Sequence, residues 1–148
     1  MMTVVTPQDW HAVVVGYTMR PEDAAEGRAL GIEPIKGALY SLRHSDEAVT
    51  VLWNGRVAAL GGVAYVDDVG KPWLLTTPLV DVCPMWRLIG EYKRRCKKWV
   101  EMYGVLENYV DASYTKAVRL LKLAGFSLDE PIEMPQTGAM FRRFEMRA

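Results

Sequence analysis

The sequence predicts a mixed α/β domain of the α+β kind, in which helices interleave with a mostly antiparallel sheet. Three observations predict it. Two strand-like runs, Ala48–Trp53 and Arg56–Val66, flank Asn54-Gly55, a strong two-residue hairpin signal. Between residues 85 and 103 apolar residues recur at helical steps and share one face. The strand-like stretch from Trp73 to about Leu79, that helix, a second strand-like stretch at Val105–Asp111 and a shorter helix stopping at Gly125-Phe126 follow one another without a linker.

Each element has a local cause. Val4-Val5 reads as a short first strand, and Thr6-Pro7 as an N-cap and first helical residue, opening a helix through about Tyr17. Pro21 opens a second helix, with Glu22 and Asp23 in the turn where the helix dipole favours acid, and Gly31 stops it. Pro34–Arg43 forms a third short helix that Gly37 weakens. Gly61-Gly62 within the return strand predicts a bulge or a close backbone approach. Asp67–Pro72 is the turn into the strand beginning at Trp73.

The long helix carries Met85, Leu88, Ile89, Tyr92, Cys96, Trp99, Val100 and Tyr103 on its apolar face, while Arg87, Lys93, Arg94, Lys97 and Lys98 fall mostly elsewhere. Gly104 ends it. In the last helix, Thr115–Ala124, the inward residues are Ala117, Leu120, Leu121 and Ala124. The tail reads as two strands, Ile132–Met134 and Ala139–Met146, around a turn. Of the five tryptophans, Trp86 and Trp99 are expected to pack against the sheet from nearly one helix face.

Composition narrows the function classes. The 148 residues suffice for one domain with a proper core, spanning the whole chain. Lysine plus arginine and aspartate plus glutamate both number 18, a balance that makes nucleic acid an improbable partner. A local basic face remains, from Arg87 to Lys98 with Lys116, Arg119 and Lys122. Cys83 and Cys96 sit on or beside one helix at a separation of roughly 20 Å, too far for a disulfide. With His11 and His44 as the only histidines, both expected at the surface, no metal-ligand spacing forms. No signal peptide is expected from the N-terminus, and no apolar run is long enough for a membrane span.

The order strand, helix, strand, helix, Gly-Phe resembles the acyl-CoA half of the GNAT acetyltransferases. That resemblance implies two splayed central strands holding a pantetheine arm, helices on both sheet faces, and acetyl-CoA or CoA as cofactor. The family's pyrophosphate loop, roughly Pro-x-aromatic-Arg-Gly-x-Gly-x-Gly, aligns with Pro84-Met85-Trp86-Arg87-Leu88-Ile89-Gly90-Glu91-Tyr92. Pro84, Trp86, Arg87 and Gly90 match. Leu88 and Tyr92 replace glycines, so their side chains are expected to obstruct a phosphate, and Glu91 to repel it. The resemblance implies cofactor contacts at Leu79, Val80, Trp86, Arg87 and Gly90, with the thioester carbonyl polarised by backbone amides near Leu75–Leu79.

In the family's second motif, Ala117, Leu120, Gly125 and Phe126 match, but Leu121 stands where a tyrosine often protonates the departing thiolate. Catalytic candidates are therefore Asp81 and Asp111 near strand ends and Tyr114, the nearest phenol. Asp111 reads more simply as belonging to the N-cap region of the last helix, and Tyr114 as a packing or cap-adjacent residue. Cys83, near a helix N-terminus, is a place where a thiol pKa could fall, but no histidine can be placed beside it and a buried or incidental cysteine is the simpler reading.

A second resemblance runs through Met19-Arg20-Pro21-Glu22-Asp23, Leu30-Gly31-Ile32-Glu33-Pro34, Pro72–Thr77 and Asn108-Tyr109-Val110-Asp111. Together these are similar to small internal virion or morphogenesis proteins of short-tailed bacteriophages, regarded as degenerate acetyltransferase-like domains. That implies a binding or structural module in virion assembly or infection. Its partners would be phage structural or host proteins, and its location the host cytoplasm and the phage particle. The alternative is an active acetyl-CoA-dependent N-acetyltransferase acting on an amine.

Overall fold

The computed structural model describes residues 1–148. The elements are β1 (Met2–Val5), α1 (Asp9–Thr18), α2 (Pro21–Ala29), α3 (Pro34–Arg43), β2 (Glu47–Trp53), β3 (Arg56–Val66) and β4 (Val69–Thr76). A 3₁₀ turn, Pro78–Asp81, leads to α4 (Met85–Tyr103), β5 (Val105–Asp111), α5 (Thr115–Ala124), β6 (Ser127–Leu128), β7 (Ile132–Glu133) and β8 (Met140–Arg147). The result is a mixed, mostly antiparallel sheet with five helices, its strand order β1-β2-β3-β4-β5-β8-β6, with β7 also on β8. The chain forms two compact units, Met1–Ala64 with Trp73–Met85, and Tyr65–Pro72 with Trp86–Ala148.

In the first unit, β1 pairs antiparallel with β2 from Met2↔Trp53 to Val5↔Thr50, and β2 with β3 from Glu47↔Val63 to Trp53↔Arg56. Asn54 and Gly55 both take positive φ, 50° and 79°, as a tight hairpin turn requires. Of the two readings of Gly61-Gly62, close approach is the one realised. A Cβ on Gly62 would lie 2.5 Å from the Glu47 carbonyl oxygen. The bulge falls instead between Val51 and Leu52, opposite Ala59 and Val57, leaving Ala58 as the extra residue. Ala12 and Val15 of α1, Ala38 of α3 and Val57 and Leu60 of β3 form a buried core cluster. Gly16 lets the helices meet, since a Cβ there would come within 2.5 Å of the Ile35 Cα.

Helix α1 begins later than Thr6-Pro7 suggests. Its N-cap is Gln8, whose backbone N–H donates to His11 Nδ1 at 3.0 Å. Thr50 Oγ1 lies 2.9 Å from the same nitrogen. His11 is consequently a buried structural residue rather than a surface one, and burial lowers its pKa. His44 is exposed, at the C-cap of α3.

In the second unit, Asp67 and Asp68 alone make the β3–β4 turn, with φ of 52° and 64°. Strand β4 thus starts at Val69 and stops at Thr76, before the 3₁₀ turn, instead of running from Trp73 to Leu79. Tyr65 stacks on Tyr103 with ring centroids 4.8 Å apart. Strand β5 pairs antiparallel with β8 along its whole length, from Val105↔Arg147 to Asp111↔Phe141. The tail is more than one hairpin: β6 and β7 each add a two-residue ladder to β8, Ser127↔Glu145 and Ile132↔Phe141 among them.

The apolar stripe of α4 is buried at Leu88, Tyr92, Cys96, Trp99 and Val100. Trp86 does not join it. Thirteen helical steps of about 100° turn by about 220° beyond whole turns, so Trp86 and Trp99 point to different faces. Trp99 is 1% exposed and Trp86 76% exposed. In α5, Val118, Leu121 and Ala124 are buried, while Ala117 and Leu120 are half-buried. Gly125, at φ 105°, ends α5, and Phe126 meets Phe144 edge-on at 5.0 Å. No helix is long and apolar enough to cross a membrane.

Candidate functional site

Strand β4 is unusual in how its outer edge is satisfied. Backbone groups alternate sides along a strand. Thr77 N–H donates to the Ala58 carbonyl at 2.9 Å, so odd-numbered residues here turn toward β3 and even-numbered ones away from it. Among the outward residues, Gly70 forms the single registered pair of the parallel β4–β5 ladder, with Leu106. A Cβ on Gly70 would lie 2.6 Å from Leu106 Cδ2. At Pro72 the ladder gives way to a side chain: Asn108 Nδ2 donates to the Pro72 carbonyl at 2.9 Å, and Asn108 Oδ1 accepts from Tyr109 N–H.

The far end of the strand, within the first unit, is held differently. Thr76 N–H donates to Asp23 Oδ2 at 2.9 Å, and Thr76 Oγ1 donates to the same oxygen at 2.6 Å. Arg20 N–H donates to the Thr76 carbonyl at 2.9 Å. Arg20 and Asp23 are both buried, and the Arg20 guanidinium reaches Asp81 at 3.1 Å and Glu22 at 3.7 Å. Asp23 therefore serves β4 as well as the first turn of α2.

These bonds answer the expectation of amides free to polarise a carbonyl near Leu75–Leu79. Thr76 N–H goes to Asp23, Thr77 N–H to Ala58, and Leu79 N–H to Thr77 Oγ1 at 3.3 Å. Leu75 N–H faces β3 by alternation, and Pro78 has none. The segment has its own acceptors because the chain turns sharply into the 3₁₀ helix, where Val80 N–H bonds the Thr77 carbonyl. Val80 is buried and Leu79 half-buried.

At the start of α4 the outcome runs the other way. Leu88 and Tyr92, which the motif alignment sets against glycines, are 4% and 8% exposed. Their side chains enter the core instead of obstructing the helix start. Glu91 is paired with Arg94 and, at 2.9 Å, with Arg95, so its charge is locally balanced and not turned loose on an incoming anion. The first turn of α4 contains no acid, and Trp86, Arg87 and Gly90 are exposed. A Cβ on Gly90 would meet nothing within 4 Å.

The acid–base candidates have structural partners. Asp81 accepts from Arg20. Asp111 accepts from Ser113 N–H at 2.9 Å and Ser113 Oγ at 2.7 Å, a local turn leading into α5. Tyr114 is the N-cap residue of α5. Leu121 is 5% exposed, a core residue where the motif has a phenol. Burial raises the pKa of the Cys83 thiol rather than lowering it, and Cys83 Sγ donates to the Leu79 carbonyl. Cys96 is pushed up to about 12 by burial, and Tyr92, buried beside it, well above its ordinary value. Neither cysteine is set up as a nucleophile.

The residues that close the outer edge of β4, namely Arg20, Asp23 and Asn108, were not among the sequence candidates. Asp23 carried a signal, but helix-dipole placement explained it. Asn108 shares β5 with Glu107 and Asp111, so its residue type alone did not single it out.

No family profile matches the sequence, and no curated protein matches it. Solved structures do match. A protein from Acinetobacter baylyi ADP1, provisionally named an acetyltransferase, superposes with a TM-score of 0.73 at 12% identity, over 100% of this chain and 93% of that one. The ribosomal-protein-S18-alanine N-acetyltransferase of Escherichia coli gives 0.64 at 14% identity, over 99% and 94%. A provisionally named acetyltransferase from Salmonella typhimurium, solved with its cofactor acetyl-CoA, gives 0.59 at 13% identity, over 99% and 93%.

Proposed function

We propose that this GNAT-fold chain binds acetyl-CoA and transfers its acetyl group to an amine. The fold is that of the acetyltransferases, and proteins of that fold include an N-acetyltransferase and one solved with acetyl-CoA. The observation that carries the reading is the start of α4. Its first turn is free of acid, Arg87 and Gly90 are exposed, and Leu88 and Tyr92 are withdrawn into the core. A helix start of that character suits a pyrophosphate, through backbone amides and dipole. In this reading Arg87 neutralises phosphate, and Trp86 and Gly90 flank it. Acetyl-CoA supplies the activated acyl group. Tyr114 is the phenol available to return a proton to the thiolate, and Asp81 or Asp111 would take one from the amine once freed from Arg20 or Ser113.

Titrating the purified chain with acetyl-CoA and CoA by calorimetry tests this. A micromolar Kd, with a matching rise in melting temperature, supports it. A screen of amines with thiol detection would follow. No heat at millimolar ligand would refute it.

One observation favours a second reading. Leu121 is a core residue where a proton donor is expected, and the backbone amides Thr76, Thr77 and Leu79 have acceptors of their own. On that reading the fold is a binding or structural module without turnover. Its partners would be phage structural or host proteins, in the host cytoplasm or the phage particle. This role rests on the sequence resemblance alone. It predicts that no amine releases CoA thiol faster than buffer does.

A further inference from the structure

We propose that the corner between α1 and α2 is a latch: Arg20 and Asp23 occupy the outer edge of β4 at Thr76, and an extended amide-bearing chain adds to that edge only when they let go. The inference rests on the acyl-CoA reading for its ligand, the pantetheine arm, but the latch itself rests on hydrogen bonds within the first unit. An exposed strand edge presents alternating donors and acceptors, and extended chains bind by pairing with them. On β4 the outward backbone groups are those of Gly70, which pairs with Leu106, of Pro72, which has no N–H and whose carbonyl accepts from Asn108, and of Leu74 and Thr76. Thr76 uses both of its backbone groups internally, N–H to Asp23 and C=O from Arg20 N–H. The Arg20 backbone thereby makes one of the bonds that an added strand would make. Asp23 makes the other with a side chain.

The latch is built to hold. Asp23 accepts two bonds from one residue through a single oxygen, at 2.9 and 2.6 Å. Arg20 is anchored beside it, buried, through Asp81 and Glu22. Bonds to a charged acceptor are stronger than neutral ones, so an incoming amide does not displace them without cost. Thr76 Oγ1 adds a bond that a strand ladder does not need. The proposal places the release at the start of α2, where Asp23 lies in the first turn of a nine-residue helix that is preceded by non-helical Met19 and Arg20. A small rotation at that corner would free Thr76 without unfolding a strand.

The test uses the full chain, isotope-labelled, as wild type, Asp23→Ala and Thr76→Val. Two readouts are taken: hydrogen exchange of the Thr76 amide, and affinity for CoA by calorimetry. Thr76→Val keeps the backbone bond and the side-chain volume, so it remains informative if Asp23→Ala folds poorly. The expected result is slow Thr76 exchange in the free wild type and exchange at least about tenfold faster in Asp23→Ala. CoA affinity should rise about tenfold in Asp23→Ala and about threefold in Thr76→Val. Equal CoA affinity in all three folded chains would overturn the latch and leave the acyl-CoA reading standing. No CoA binding by any chain, with Thr76 exchange still accelerated by Asp23→Ala, would overturn the acyl-CoA reading and with it the latch's ligand.

Discussion

The two ends of β4 solve one problem by different means. Both must satisfy outward backbone groups that a regular ladder does not reach. At Pro72 a neutral amide, Asn108, supplies one hydrogen bond from the neighbouring strand, two residues past the Gly70–Leu106 pair. At Thr76 a buried carboxylate and a backbone N–H from a helix corner supply three. The first solution is a fixed bridge between strands that are already adjacent. The second uses a segment that is distant in sequence and charged. The difference teaches where the strand can change state. A neutral bond inside a sheet ends a ladder, whereas a charged contact from outside the sheet can be withdrawn.

Replacing Asp23 should break this contrast most severely. Asp23→Ala strands both the Thr76 amide and the Thr76 hydroxyl in a buried site. A stability loss of about 3 kcal/mol is expected, read from the denaturant midpoint at constant m-value. Asn108→Ala should cost less, about 1.5 kcal/mol, because its bonds are neutral and the site is half-buried. If Asn108→Ala proves the costlier of the two, the comparison is inverted and the Thr76 end is the weaker closure.

Gly70→Ala sharpens the other side of the comparison. The added Cβ meets the tip of Leu106 at 2.6 Å, a flexible side-chain end, and Tyr103 at 3.1 Å. A loss of about 1 kcal/mol is expected, measurable by thermal melting. A larger loss would mean that the one-pair ladder cannot shift to accommodate it.

The smallest effect concerns β5 and β8, away from β4. The Arg143 guanidinium, bonded to Glu107 and Glu145, holds the pKa of Glu107 below its ordinary 4.5. A carboxyl lowered in the folded state stabilises above its unfolded pKa, and that contribution is lost as pH falls through the folded value. Glu107→Gln should therefore cost under about 1 kcal/mol at pH 7, given the partial exposure of the pair. It should also flatten the decline in stability below pH 4.5. An unchanged acid limb would show that the pair contributes nothing measurable.

Much of this protein was readable in order along the chain. Strand β3 at Arg56–Val66, β5 at Val105–Asp111 and the helices from Pro34, Thr115 and Pro21 begin or end at residues whose local chemistry demands it. Proline opens helices, glycine at positive φ closes them, and Asn-Gly turns a hairpin. Elements whose limits depend on a partner were misplaced. Strand β4 was set at Trp73–Leu79, because Pro72 looks like turn chemistry and Thr-Thr-Pro-Leu looks like strand. Pairing with Leu106 and the bonds of Thr76 and Thr77 move both limits toward the N-terminus.

The candidate site divides along the same line. The absence of acid around the first turn of α4, the exposure expected of Arg87 and the missing phenol at Leu121 follow from residue types at known spacings. The alignment of Leu88 and Tyr92 to glycines misleads, because it says nothing of which helix face they occupy. The apolar period of the helix does place them on the buried face, and that period was the better guide. A histidine on a short helix reads as a surface residue because its partners lie outside the local sequence pattern; Thr50 and the Gln8 N–H hold His11 in the interior.

The hairpin at Asn54-Gly55, the helix stops and the apolar face of α4 are legible along the chain because each depends on interactions within a few residues, whereas β6, which forms only by pairing with β8, is not. That Asp23 serves Thr76, that Asn108 bridges to Pro72 and that the Thr77 amide bonds Ala58 emerges with the fold, because those bonds join residues 19 to 53 positions apart. A strand edge is satisfied by whatever the fold brings beside it.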